Sequence, residues 1–106
     1  MQVISIAKDF SDCPAGRYAK DGPFSGERFR DELLIPALLK AGSVEVNLDG
    51  ALGYGSSFLE EAFGGLVREK GYTSRDLHNR LQITSAMPMY VERIWSYIDD
   101  ADRNRS

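Results

Sequence analysis

The 106-residue sequence has one cysteine, Cys13, one histidine, His78, and one tryptophan, Trp95. A lone cysteine cannot close an internal disulfide, and without a Cys/His cluster no structural zinc site is expected. A single histidine leaves one imidazole for acid–base chemistry, and His78, close to Arg75, Asp76 and Arg80, reads as a solvated loop residue. No apolar run approaches the roughly 18 residues that cross a membrane, and residues 1–7 lack the basic start and the length of a secretory signal. There is also no basic stripe: 13 Lys and Arg are interspersed among 16 Asp and Glu, for a net charge of −3, so no surface is set up to neutralise a nucleic-acid backbone. These absences leave the expectation of a cytoplasmic protein with no metal, membrane or nucleic-acid partner. What is present is 42% hydrophobic and 27% charged residues, the balance of a chain that folds as one domain over 1–106.

Val3, Ile4 and Ile6 read as a first strand, and a turn-rich stretch over 9–23 follows, with a second short strand around residues 17–20. Ser25 caps a helix whose Phe29, Leu33, Leu34, Ala37 and Leu38 recur at helical spacing to about residue 41; Pro36 within it predicts a kink or an early stop. Residues 44–48 alternate apolar and polar as a strand, and after a loop over 49–55 the residues Phe58, Leu59, Ala62, Phe63, Leu66 and Val67 mark a core-facing helix that stops at Gly71. Gly64 and Gly65 inside it cost roughly 1 kcal/mol each against alanine, which predicts close approach of a neighbouring backbone or partner. Leu81, Ile83 and Ser85 form the last strand, Pro88 opens a final helix through Tyr90, Ile94, Tyr97 and Ile98, and residues 99–106 are expected to fray. Strands alternating with helices predict an α/β sandwich: a mixed, mainly parallel sheet of about four strands with three helices.

Chemistry would centre on Gly53-Tyr54-Gly55-Ser56-Ser57-Phe58-Leu59-Glu60-Glu61. A nucleophile elbow needs Gly-x-Ser-x-Gly, and glycine stands where the serine should be. A dinucleotide fingerprint needs a third glycine where Phe58 stands, and the Gly-Lys-Ser/Thr of a phosphate loop is missing. No catalytic or cofactor-binding residue is assigned, and the chain is not expected to be an enzyme. Backbone amides at the helix start could still hold an anion or nucleotide, which leaves a small-ligand sensor near Ser56 and Ser57 as an alternative. Ser57 and Glu60 have the spacing of a capping box, in which case Ser57 is structural. Asp49 reads as a turn former, Cys13 as inert, and Phe29, Phe58, Phe63, Trp95 and Tyr97 as core, whereas Tyr54, flanked by glycines, reads as an interface anchor.

The run Val44-Glu45-Val46-Asn47-Leu48-Asp49-Gly50 followed by Gly55-Ser56-Ser57-Phe58-Leu59 resembles the STAS domains of anti-sigma-factor antagonists. Ser57-Phe58-Leu59-Glu60-Glu61-Ala62-Phe63-Gly64, with Phe24-Ser25-Gly26-Glu27 and Phe29-Arg30 upstream, is still more similar to an uncharacterised STAS-like family, over about residues 22–71. The resemblance implies a STAS-like fold and a regulatory protein–protein interaction module, bacterial or phage-borne. Its implied partner is a histidine-kinase-like ATPase or another regulatory protein, and the chain itself would be a monomer or homodimer. The implied contact comprises Tyr54, Gly55, Ser56, Ser57, Phe58 and Glu61 on the loop and helix at 53–64. Ser57 stands where the antagonists carry their phosphorylated serine, although Glu60 and Glu61, a turn away, would repel a phosphate there.

Overall fold

The computed structural model describes residues 1–104. Three strands, β1 (Gln2–Ser5), β2 (Val44–Asn47) and β3 (Leu81–Thr84), form a sheet in the order β1-β2-β3. Both pairings are parallel, with Ile4 opposite Val46 and Val46 opposite Ile83. A π-helical turn, Ile6–Phe10, follows β1. The helix α1, residues 26–40, connects β1 to β2; α2, residues 56–68, and α3 (Ser74–Arg80) connect β2 to β3; α4 (Pro88–Arg103) comes last.

Side chains alternate across a strand, so the register sorts them into two faces. Ile4, Val44, Val46, Leu81 and Ile83 are all buried on one face. The other carries Val3, Ser5, Glu45, Asn47, Gln82 and Thr84, each partly or fully exposed. Two right-handed crossovers stepping the same way along the sheet put α1 and α2 on one side, which gives two layers with a wet outer sheet face. Parallel sheets are usually covered on both faces. Polar side chains make the exception tolerable, as where the Thr84 hydroxyl donates to the Glu45 carboxylate at 2.7 Å.

The core between the layers is aromatic at its centre. Phe29 of α1 meets Phe58 and Phe63 of α2 with ring centroids 6.0 and 6.1 Å apart, and Ile94 and Ile98 of α4 close the cluster. Gly64 and Gly65 make room chiefly for side chains rather than for a neighbouring backbone. A Cβ on Gly64 would first meet the Glu60 carboxylate at 2.7 Å, with the Tyr97 carbonyl oxygen of α4 at 3.4 Å, and one on Gly65 would run into the Arg30 guanidinium.

The sheet departs from expectation: among the described residues it has three strands rather than four, all parallel rather than mixed, and there are five helices, α1–α4 and the π-helical Ile6–Phe10, rather than three. The segment expected as a strand at 17–20 leads into a 3₁₀ turn, Ala19–Asp21. Its donors are taken by carboxylates, since Tyr18 N–H donates to Asp21 Oδ2 at 2.9 Å and Ala19 N–H to Glu27 Oε1 at 2.7 Å, so they do not serve a ladder. Pro36 neither stops nor ends α1, which runs on to Lys40. A π turn, Arg30–Leu34, comes just before it, and a widened turn relieves the clash a proline ring makes with the preceding carbonyls.

The unexpected α3 carries a single buried apolar residue, Leu77, too little to mark a helical period. Its start is fixed by the Thr73 hydroxyl, which accepts from Asp76 N–H at 3.0 Å. The final helix holds on to Arg103, so residues 99–103 of the expected frayed tail are helical. They are tied down by α3: Asp99 accepts from the Ser74 hydroxyl at 2.5 Å and Asp102 from Ser74 N–H at 3.2 Å. Residues 105–106 of that tail lie outside the described residues. No described helix is long and apolar enough to cross a membrane.

Candidate functional site

The loop between β2 and α2 leaves the sheet at the carboxyl ends of the strands. Asp49, expected as a turn former, instead uses its carboxylate at long range: its Oδ1 accepts from Ala86 N–H at 2.8 Å, joining the loops after β2 and β3, while the local turn bond is made by Asn47 Oδ1, which accepts from Asp49 N–H at 2.8 Å. Leu52 N–H donates to the Asp12 carbonyl at 2.8 Å, tying the loop to the segment after β1. The loops after β2 and β3 enclose a crevice of about 210 Å³, with Leu48, Asp49, Leu52, Tyr54, Met87 and Tyr90 in its walls.

The residues singled out by sequence divide into two groups here. Gly55, Ser56 and Ser57 are exposed at the start of α2. Tyr54, Phe58 and Glu61 are buried. Tyr54 is therefore not a free-standing loop anchor: its hydroxyl donates to the Leu48 carbonyl at 2.6 Å, and its ring packs edge-on against Tyr90. Burial, with Tyr90 and Asp49 nearby, pushes the phenol well above its ordinary pKa and keeps it a proton donor. Phe58 belongs to the aromatic core, and Glu61 points into the α1–α2 seam.

The capping box does not form. Gly55, in extended conformation, is the N-cap, so Ser57 falls inside the first turn instead of ahead of it. The Glu60 carboxylate, rather than reaching back, binds Arg17 and Arg68. Arg17 also reaches Glu61 at 3.2 Å, and Arg68 reaches Glu61 at 2.8 Å. Arg30, 3% exposed, donates to both the carboxylate and the backbone carbonyl of Glu61, at 2.7 and 3.0 Å, and to Asp31 at 2.9 Å. Burial disfavours the Arg30 charge, but these carboxylates outweigh it and its pKa lies above the ordinary value. For Arg17 the Glu60 hydrogen bond is the main cause of the same upward shift. Glu60 and Glu61 are thus charge-compensated by three guanidinium groups and do not stand as a bare acidic pair beside Ser57.

Three features went unread in the sequence. Leu52, 85% exposed, and Met87, 50% exposed, flank the crevice as apolar rim; the available signal was a leucine in a loop with no period to assign it to a core. Arg30 sits among Phe29, Leu33 and Leu34, where an arginine on an apolar stripe signals a buried partner. His78 lies on α3, not in a loop: its ring stacks on Trp95 with centroids 4.1 Å apart, and its Nε2 is 3.0 Å from Asp99 Oδ1.

Asp99 supplies a pH prediction. Burial raises its pKa, yet the Ser74 hydroxyl, the His78 hydrogen bond and the charges of His78 and Arg103 outweigh burial and hold it below the ordinary carboxylate value. A carboxyl depressed on folding stabilises the fold above its unfolded pKa, and that contribution is lost as the pH falls through the folded value. Ser74→Ala is expected to move the Asp99 midpoint, followed by NMR of the side-chain carboxyl carbon, up towards the ordinary range. An unchanged midpoint would show that Ser74 does not hold it.

A larger cleft, about 750 Å³, lies elsewhere, between the end of α2 and α4, with Glu60, Arg68, Tyr97 and Asp100 among its walls. Its size does not single it out, because its charged groups are engaged: Glu60 and Arg68 pair with each other and Asp100 pairs with Arg103. Among the described residues no group of three or more His, Cys, Asp or Glu is placed to hold a metal ion.

A parallel sheet with helices on one side, and a loop leading from its central strand into an exposed serine-bearing helix start, define an α/β domain of STAS-like architecture. A family model described as "STAS-like domain of unknown function (DUF4325)" matches residues 25–91, and the chain belongs to that family. No curated protein and no solved structure matches it.

Proposed function

We propose that this domain is a regulatory protein-interaction module whose docking edge is the rim formed by Leu52, Gly55, Ser56, Ser57 and Met87. One observation carries the reading: two strongly exposed apolar side chains share a crevice at the point where the chain leaves the sheet for a helix with exposed serines. An apolar centre with a polar margin is the make-up of a protein contact. Tyr54, Phe58 and Glu61 serve it from beneath, by fixing the loop and the first turns of α2. An ATPase of the histidine-kinase type is the partner class the STAS likeness favours.

The arginines around Glu60 and Glu61 support a switch at Ser57. A phosphate within the first turn of α2 meets the positive end of the helix dipole. With both carboxylates compensated, the repulsion expected from them is much reduced. Added charge at the start of α2, where the loop carrying Leu52 ends, would oppose an apolar contact and release the partner.

The test is recovery of partner from the native host with the wild-type chain and with Leu52→Glu, together with the intact mass of the recovered chain. Leu52 is so exposed that the variant should fold normally, and loss of the co-purifying protein is the expected result. Equal recovery would remove this edge from consideration. A mass gain of one phosphate, abolished by Ser57→Ala, would establish the switch.

A second reading follows from the position of the crevice, since open α/β sheets bind ligands outside the carboxyl ends of their strands. A sensor of anions or nucleotides there should melt at higher temperature in their presence. Titration with inorganic phosphate, ATP and GTP, with no shift in Tm, would leave the docking reading in place.

A further inference from the structure

The sheet ends at β1, whose outer side has no neighbouring strand; Asp9 Oδ2 takes the outward Ser5 N–H at 2.8 Å, which leaves Val3 at the middle of the edge. An edge strand presents every second backbone N–H and C=O to whatever lies beside it. Val3, at its middle, is 56% exposed. Between this edge and α1 runs a groove of about 360 Å³ lined by Val3, Ile4, Leu33, Pro36 and Ala37, the Val3 side chain itself lying on the outer sheet face. Native chains usually blunt such an edge with proline, lysine or a covering segment; β1 itself reads Gln2-Val3-Ile4-Ser5 and carries none of these.

The charges at the two ends of the groove identify the occupant. At the amino end of β1 stands Lys40, which makes no ion pair among the described residues; at the carboxyl end stand Asp9 and Glu32. Because α1 runs back against β1, this polarity is the same on both elements. A two-fold axis passing near Pro36 and the middle of β1 brings Lys40 of one chain to Glu32 of the other, since the two residues lie equally far from Pro36 in sequence. The same axis sets β1 antiparallel to its own copy, the geometry in which strands pair across a two-fold.

We infer that this groove is a self-pairing surface: two copies join β1 to β1 antiparallel, continuing the sheet across both. Leu33 and Pro36 of the two α1 helices then pack over the junction, and Lys40–Glu32 pairs close it at both ends. Glu32 already accepts from Arg28 at 2.7 Å, so each closing pair extends an existing i,i+4 pair. A four-residue strand with one helix flank is a small contact, which places the dimer in the weak, concentration-dependent class. The inference is independent of the docking edge proposed above.

Sedimentation equilibrium over a wide concentration range tests it. The wild-type chain is expected to shift from the mass of one chain to that of two. Val3→Asp puts a charge at the centre of the junction, on a side chain the protomer leaves exposed, and should abolish the dimer while circular dichroism stays native. Lys40→Glu sets two acidic pairs against each other and should weaken association about tenfold, one surface pair being counted twice by symmetry. Glu32→Lys combined with Lys40→Glu should restore it, a rescue that no folding defect would give. A wild-type chain that stays monomeric throughout overturns the inference, as does a dimer indifferent to Val3→Asp; a double variant no tighter than Lys40→Glu alone overturns the antiparallel register.

Discussion

Glu61→Ala is expected to lower the free energy of unfolding by about 3–5 kcal/mol, the range for removing one partner of a buried ion pair. Glu61 and Arg30 are each 3% exposed in their side chains. Without the Glu61 carboxylate, the Arg30 guanidinium keeps the bond to the Glu61 carbonyl and those to Asp31, but it remains out of water with its closest counter-charge gone. Urea titration reads the loss. Glu60→Ala makes the internal comparison, because Glu60 is 24% exposed and its removal leaves only partly solvated arginines, for which about 1 kcal/mol or less is expected. Arg30→Met combined with Glu61→Leu should recover most of the stability, since the penalty comes from the orphaned charge. If Glu61→Ala and Glu60→Ala cost the same, the seam is wet and the buried-pair account fails.

Gly26→Ala is expected to cost about 2–3 kcal/mol, the range of core overpacking. An added Cβ would stand 2.5 Å from the Phe58 carbonyl oxygen and 3.1 Å from the Ala62 nitrogen. Both are backbone atoms of α2, so relief requires the helices to separate, and the Phe29 contacts with Phe58 and Phe63 open with them. Gly42→Ala, where the new methyl would meet nothing within 4 Å, should be neutral or slightly stabilising. Equal effects at the two glycines would show that α1 and α2 do not cross where the structure places them. Loosening this seam also frees the start of α2, so Gly26→Ala should lower partner recovery as well as stability.

Much of the fold was legible because its signals are local. The alternation in Val44-Glu45-Val46-Asn47 gave β2, and the apolar spacing from Phe58 to Val67 gave α2 with its buried face. The mistaken strand at 17–20 and the unpredicted α3 share a cause, in that both segments are settled by distant side chains. Glu27 takes the Ala19 amide, and Asp99 and Asp102 hold the start of α3 from α4. The site was legible in part for the same reason. Gly55, Ser56 and Ser57 at a helix start follow from local pattern, but the capping box depends on which partner Glu60 prefers, and Arg17 is 43 residues away. Tyr54 had the surroundings of an exposed loop residue; the Leu48 carbonyl and the Tyr90 ring that cover it are supplied by the tertiary fold.

The central claim is that the rim around Leu52 and Ser57 meets a protein partner. Amide hydrogen exchange, comparing the free chain with the complex recovered from the native host, tests it most directly. Protection gained in residues 50–57 and 85–88, with none over the open sheet face or along the cleft between α2 and α4, is the predicted footprint. A complex that protects either of those other regions and leaves 50–57 exchanging as in the free chain would contradict the account.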